Sequence, residues 1–476
     1  MTDILETTAR GASKATASLG VIAIGVSAVL VAGIGTAVAV GSSIGGGQQP
    51  EDVLPKNVIA LAKVDLAPSL GQRKAVYDLS RKFDKVDVKS ADSVKDDLLK
   101  ALFESDSTVD YQKDIKPWLG DRAGIGAIRD ESADHVAPIA AVQYTDKNKA
   151  TRTLKDAQKD SADNPFAFAF SGDYVIIANT QDEADKYAKA DSHLSDNDTF
   201  KNAIDALDGD QIVTGWADVK GVYDVIPAEQ RAQIKLDANP SGSFVVGAHA
   251  DSNYLEIVGK AVDVGDSLKQ YGSGTFGNGR GHNLIATMPI ESTVALELTG
   301  LGDTLTKAYD KLSVEPGFTD IEGQAQQYGL HLPQDLRTVL GTDVGVGVFG
   351  NLNDNPRVVG HVLTEQPDEA IKILTKVPSP EDTPPFALEK ESSNSYFIGT
   401  DAGAIALARK GTLGDSAPFK RALPDAQDAG FALYVSIGRA AELGGDQVPA
   451  WVSHLEAFGM TASGTTGEFR IRLTVS

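Results

Sequence analysis

The sequence predicts an α+β protein: an N-terminal transmembrane helix followed by two homologous units, each a mainly antiparallel sheet with helices packed on it. Three observations carry this reading. An uncharged apolar run lies near the N-terminus. A set of short motifs recurs in the same order about 220 residues later. The strand-like runs are joined by connections too short for parallel crossovers.

The apolar run, Leu19 to Val40, reads LGVIAIGVSAVLVAGIGTAVAV. About 20 apolar residues rising 1.5 Å each cross a hydrocarbon core of roughly 30 Å. The predicted span is 19–41. Arg10 and Lys14 precede it, and Glu51 and Asp52 are the first charges after it. The positive-inside bias therefore leaves residues 1–18 in the cytoplasm and the bulk of the chain outside the cytoplasm, on a single-pass signal-anchor. Ala37-Val38-Ala39 fits a small-x-small cleavage site, but the run is longer than a signal-peptide apolar region, which favours an uncleaved anchor. Residues 42–52 read as a flexible tether.

The repeat defines the rest. Asp114-Ile115-Lys116-Pro117-Trp118-Leu119-Gly120 leads into Gly124 and Gly126, and Asp335-Leu336-Arg337-Thr338-Val339-Leu340-Gly341 leads into Gly345 and Gly347. Val142–Leu154 matches Val362–Leu374, and Tyr174-Val175-Ile176 matches Tyr396-Phe397-Ile398. Phe200 matches Phe419 and Trp216 matches Tyr434. The offsets are 221, 220, 222, 219 and 218 residues. The first strand pairs Val58-Ile59-Ala60-Leu61 with Thr293-Val294-Ala295-Leu296. The units are 53–265 and 287–476, separated by a Gly-rich linker at 266–286.

Within the first unit, strands are expected at 58–64, 125–128, 139–144, 166–170, 174–178, 212–217, 244–250 and 255–262. Helices are expected at 72–82, 93–103, 146–158 and 183–189. Ser171-Gly172-Asp173 and Asp251-Ser252-Asn253 read as hairpin turns. Asn283–Thr287 reads as a further strand.

The opening strand from Pro55 to Asp65, the Asp114-x-x-x-Trp118-Leu119-Gly120-Asp121-Arg122-Ala123-Gly124 motif and the hairpin at Tyr174 together resemble a family of actinobacterial membrane-anchored proteins grouped as a domain of unknown function. The resemblance covers nearly the whole chain after the tether. It implies a cell-envelope location and a tandem architecture, and it carries no activity and no catalytic residues.

Composition narrows the chemistry. The net charge is −22, and Asp3 and Glu6 balance Arg10 and Lys14, so the acidity belongs to the part after the helix. Such a surface repels phosphate backbones, so no nucleic-acid partner is expected. There is no cysteine, hence no disulfide, thiolate metal site or cysteine nucleophile. His135, His193, His249, His282, His331, His361 and His454 lack zinc-ligand spacing. Gly41-Ser42-Ser43-Ile44-Gly45 has the letters of a nucleophile elbow without its strand and helix. Gly272–Gly277 and Gly345–Gly350 have the letters of a dinucleotide loop without its context. Asp196-Asn197-Asp198 and the acids of 205–210 lack the register of a calcium loop. No cofactor, metal or catalytic residue is assigned.

Gly124, Gly126, Gly345 and Gly347 are the candidate site residues. Residues two apart in a strand face the same side, and glycine weakens a strand. Their recurrence calls for a close approach to the sheet, either by a packed helix or an aromatic such as Trp118, or by a ligand chain in a groove. The leading expectation is a non-enzymatic binding or scaffold module of the envelope, joined to the membrane by its helix and to an envelope protein, lipid or polymer. The alternatives are a carrier of an apolar, lipid-like ligand and a hydrolase with a dispersed Ser/His/Asp site.

Overall fold

The computed structural model describes residues 47–476, apart from 67–68, 84–88, 91–92, 94, 98, 100–109, 131–134, 161–165, 232–238, 270–280, 314–317, 353, 377–385 and 445–447. The predicted transmembrane span, residues 1–18 expected in the cytoplasm and the Gly41–Gly45 and Gly272–Gly277 strings lie outside the described residues, as does most of the helix expected at 93–103. Among the described residues no helix is long and apolar enough to cross a membrane. The chain divides into two compact units, Met1–Leu268 and Lys269–Ser476.

The first unit holds strands β1 (Val58–Asp65), β2 (Leu119–Asp130), β3 (His135–Tyr144), β4 (Ala167–Ser171), β5 (Tyr174–Ala178), β6 (Val213–Asp218), β7 (Ser243–Asp251) and β8 (Tyr254–Val262). Their order is β4-β5-β3-β2-β1-β6-β7-β8, and every neighbouring pair is antiparallel. The second unit holds β9 (Val294–Thr299), β10 (Asp343–Asn351), β11 (Asn355–Leu363), β12 (Ala387–Lys390), β13 (Ser395–Gly399), β14 (Phe431–Ser436), β15 (Leu455–Ser463) and β16 (Glu468–Val475). Their order is β12-β13-β11-β10-β9-β14-β15-β16, again antiparallel throughout. Taken in chain order, the two series of eight strands are arranged alike.

Local chemistry sets the helices. Ser69 caps the helix Leu70–Ser80 by accepting from the Gln72 N–H. Asp146 accepts from the N–H groups of Asn148 and Lys149 at the start of Lys147–Asp160. Thr180 and Glu183 form a capping box on Gln181–Ala188. Each is the element expected from the sequence, with its ends moved by one or two residues.

Three expectations are corrected. Asn283–Thr287 is not a strand. Asn283 has φ 56°, in the left-handed region, and Leu284–Thr287 is a 3-10 helix. Its Ile285 N–H donates to the Glu297 carboxylate of β9 at 2.9 Å, a partner that an extended chain would not meet. The tether is shorter than 42–52, because Pro50–Asp52 is also a 3-10 helix, with Pro50 and Glu51 buried. The repeat alignment also slips at two places. Val142 lies opposite Val175, and Val362 lies opposite Tyr396, so Tyr396 stands where Val175 stands and not where Tyr174 does. Leu61 lies opposite Gly126 and Trp216, and Ala295 lies opposite Gly347 and Tyr434, so Leu61 corresponds to Ala295 and not to Leu296. A slip of one residue moves a side chain to the other face. Accordingly Tyr174 packs in the cluster of Trp216 and Phe200 and donates to the Gln48 carbonyl at 2.8 Å. Tyr396 packs with Val362 and Ala370 and donates to the Val339 carbonyl at 2.6 Å.

In each unit the larger core lies on the sheet face that carries the paired glycines. In the first it includes Leu54, Ile128, Ile139, Phe200 and Trp216. In the second it includes Ile285, Met288, Phe349, Ile405, Phe419 and Tyr434. Phe200 meets Trp216 edge-on at 5.2 Å, and Phe419 meets Tyr434 at 5.5 Å.

Candidate functional site

Three of the four glycines, Gly124, Gly345 and Gly347, lie under short segments of the protein itself, whereas Gly126 meets only its neighbouring strands. A Cβ at Gly124 would fall 2.9 Å from Pro50 Cβ, and one at Gly345 would fall 2.7 Å from Leu284 Cβ. In both units a 3-10 helix thus rests on the first glycine. At Gly347 the neighbours are Ser292 Oγ at 2.9 Å and Met288 Cβ at 3.1 Å, and at Gly126 the Ala60 carbonyl oxygen lies at 2.7 Å. At Gly124, Gly345 and Gly347 a segment of the protein fills the space over the strand. The segment was invisible as a helix because 3-10 turns of three or four residues leave no periodic trace. Trp118 sits on the opposite face with Ala150, Leu154 and Val175.

The charges beneath these segments differ between the units. Lys63 lies opposite Gly124 and forms a partly buried ion pair with Glu51 of the 3-10 helix. Beside it Arg122 and Asp65, both buried, approach to 3.6 Å. Glu297 takes the place of Lys63, opposite Gly345, and is fully buried. Burial pushes its pKa above the ordinary glutamate range and the charge of Asp343 adds to that, while the N–H groups of Ile285, Leu284 and His282 pull the other way. His282 pairs with Asp343 at 3.0 Å.

A test follows from the sign of this shift. A carboxyl whose native pKa is raised favours the fold while protonated, and that contribution is lost as pH rises through the raised value. Glu297→Gln still offers an oxygen to the Ile285 N–H but never ionises. Urea unfolding between about pH 4 and pH 8, above and below the ordinary glutamate range, is expected to show the Gln variant gaining on the native protein as pH rises. A constant gap, or one moving the other way, contradicts the assignment. Glu297→Ala removes the acceptor and is expected to cost about 1–3 kcal/mol.

A cavity of about 70 Å³ in the first unit is lined by residues including Gln49, Lys63, Asp65, Gln211 and Thr214. It has room for roughly two waters, whereas pockets for organic ligands run to about 300 Å³ or more. This cavity is no lipid carrier's interior.

Acid–base pairs are present among the described residues. His249 and Glu256 lie 3.5 Å apart, and His331 and Asp335 lie 3.9 Å apart. His361 Nδ1 lies 3.2 Å from Thr287 Oγ1, which is a hydroxyl–imidazole contact. Thr287 already donates to the Leu284 carbonyl at 2.7 Å, so the hydroxyl accepts from the ring, the reverse of base activation. The ring stacks on Phe397 at 4.2 Å, and burial holds its pKa below the ordinary histidine range. Among the described residues no group of three or more His, Asp or Glu side chains could hold a metal ion.

The sequence reading missed one half-buried apolar surface. In the second unit the buried sheet face carries, beside Phe349 and Tyr434, small and polar residues: Ala295, Glu297, Thr299, Gly345, Gly347, Ala432 and Thr461. The opposite, half-buried face carries large apolar ones. Strand pairing sets them in three ribs running across β10, β9, β14, β15 and β16. The central rib is Val346, Leu296, Leu433, Met460 and Ile471. One flank is Val344, Leu298, Phe431, Ala462 and Phe469, and the other is Val348, Val294, Val435, Phe458 and Leu473. Of these fifteen residues Ala462 alone is buried. In the first unit the matching positions of the central rib are Ile125, Ala62, Gly215, Val246 and Gly259. There the helix Leu70–Ser80 packs against β7, and Val213, Ala217 and Val246 are buried while Ile125 is exposed. The alternation in β9 and β10 was legible as strand but not as an inverted one, with its larger apolar residues on the more open side. No protein-family model, curated protein or solved structure matches the chain.

Proposed function

We propose that the chain is a non-enzymatic, membrane-anchored binding module of the bacterial cell envelope, held outside the cytoplasm, and that it arose by duplication of one α+β unit. The binding reading rests on one observation, the half-buried apolar face of the second unit. The side chains of this face keep part of their apolar area accessible, which an apolar partner would bury. Duplication is supported by the like strand order and by matched details. Leu194 N–H donates to the Leu54 carbonyl and Leu413 N–H donates to the Met288 carbonyl, both at the entry to 3-10 helices. Anchoring is supported by the uncharged run 19–41, by its flanking charges and by the resemblance to envelope proteins.

The topology has a direct test. Protease added to intact protoplasts is expected to digest the chain beyond the tether and to spare residues 1–18. Full protection of the second unit would overturn the orientation, and a mature chain beginning near Val40 would overturn the anchor.

A further inference from the structure

We infer that the strap of the second unit, residues 281–288, is a latch operated by protons, docked on its sheet at acid pH and released from it as the pH rises. The inference goes beyond the binding function proposed above and stands without it.

Two ties hold the strap, and both depend on a proton. Glu297, fully buried on β9, accepts from the Ile285 N–H at 2.9 Å and from the N–H groups of Leu284 and His282. Its Oε1 is buried without a hydrogen-bond partner. Ionised, this carboxyl is a charge held out of water near Asp343 of β10, which is also buried. Burial and a neighbouring like charge both disfavour the ionised form. The second tie is the exposed ring of His282, whose Nδ1 lies 3.0 Å from Asp343 Oδ2. That contact is an ion pair only while the ring is protonated. Linkage gives the two ties the same sign. A carboxyl whose native pKa is raised by burial and a histidine paired with an anion both favour the docked strap while protonated, and both contributions are lost as the pH rises.

The other charged groups on this face leave that sign unchanged. His361 of β11 lies opposite Gly345, in the row of Glu297, and burial disfavours its charged form. Arg470 of β16 ends the row beyond Ala432 and Thr461, where it pairs with Asp425 and Glu468. Asp428 is exposed, next to Ala429, whose carbonyl accepts from the Gly281 N–H at 2.8 Å. The far end of the strap is fixed, because Met288 is fully buried and its carbonyl accepts from the Leu413 N–H at 2.7 Å. Release is therefore a lift of residues 281–287 about Met288, which uncovers Gly345. Ile285 leaves a fully buried site in that lift, so the open strap is a minor state whose population the protons shift. The first unit supplies the contrast. Its strap, residues 47–54, has no histidine, and its tie is the Lys63–Glu51 ion pair, made of residue types that stay charged between about pH 5 and pH 8.

The test is amide hydrogen exchange of the full chain, read by mass spectrometry as protection factors, which remove the pH dependence of intrinsic exchange. Protection of residues 281–287 is expected to fall about tenfold between about pH 5 and pH 8. Protection of residues 50–54 in the first strap is expected to stay constant, which makes it a control within the same molecule. Glu297→Gln keeps an oxygen for the Ile285 N–H and never ionises, and His282→Gln removes the titrating ring. Each variant is expected to shrink the pH dependence, and the double variant to abolish it. His282 is exposed, so His282→Gln leaves the fold intact and carries the test by itself if Glu297→Gln fails to fold. Protection that rises with pH, or that falls equally in both straps, overturns the proposal. So does a pH dependence that neither variant alters.

Discussion

Gly341→Ala is expected to destabilise the second unit by about 3–5 kcal/mol, near the limit of what a single substitution does. Two independent costs meet there. Gly341 has φ 56° and ψ −147°, a combination open to glycine and closed to side-chain-bearing L residues. The added methyl would lie 1.9 Å from the Leu363 carbonyl oxygen and 2.9 Å from Thr364 Cβ. Neither contact can be relieved locally. The Leu363 carbonyl accepts from the Thr342 N–H at 2.8 Å, and the Gly341 N–H closes the helix Gln334–Leu340 on the Arg337 carbonyl at 2.9 Å. Moving the turn would break the start of β10. Gly120 is the partner in the repeated motif and supplies the contrast. It has no left-handed φ, and its added methyl would meet Gln143 Cγ at 2.7 Å and the Gln143 backbone carbon at 2.9 Å. Gly120→Ala is therefore expected to cost about 1–3 kcal/mol, from crowding alone. Denaturant unfolding of the two variants decides the matter: a loss at Gly341 no larger than that at Gly120 would show that backbone conformation contributes nothing.

The part of this fold legible in the sequence is the part written in side-chain periodicity. Ala150 and Leu154 mark one side of a helix, and the alternation of Val294–Thr299 marks a strand. Both appear as expected because burial of one face dictates the spacing. Letter matching located the repeat but misled on register. Tyr174 and Tyr396 share a residue type and a hydroxyl that reaches a backbone carbonyl, yet they face opposite sides of their sheets. Only hydrogen-bond pairing, which the sequence does not record, distinguishes them. The candidate glycines were found for a sound reason, the cost of glycine in a strand, but what covers them was not legible. Pro50 and Leu284 belong to 3-10 segments that composition assigns to a tether and a linker. The apolar ribs escaped because a single strand does not reveal which of its faces is covered. That depends on the helices: in the second unit the face that bears glycine and Glu297 is buried, and on the other face Val344 packs with Val339 of the helix Gln334–Leu340.

Gly345→Val is the second large effect, expected at about 2–4 kcal/mol, and its cause can be separated from general crowding. The first atom that a side chain at 345 meets is Leu284 Cβ, at 2.7 Å, followed by the Leu284 carbonyl carbon at 3.1 Å. Leu284 opens the 3-10 helix whose Ile285 N–H is held by Glu297, so the helix cannot lift without stranding a buried carboxylate. If this contact is the cause, removing the opposing Cβ relieves part of the strain. The single variants Gly345→Ala and Leu284→Gly are each expected to destabilise, the second through loss of a buried side chain. The double variant is expected to be more stable than the sum of the two by about 1–2 kcal/mol, within the range for residues in contact. Simple additivity would show that the helix is free to shift and that Gly345 is tolerated rather than required. The same cycle at Gly124 and Pro50, where the opposing Cβ lies at 2.9 Å, is expected to couple more weakly. Glu51, next to Pro50, is tied to a lysine side chain, whose flexible stem can follow the helix as it moves, whereas Glu297 grips the backbone of its helix directly.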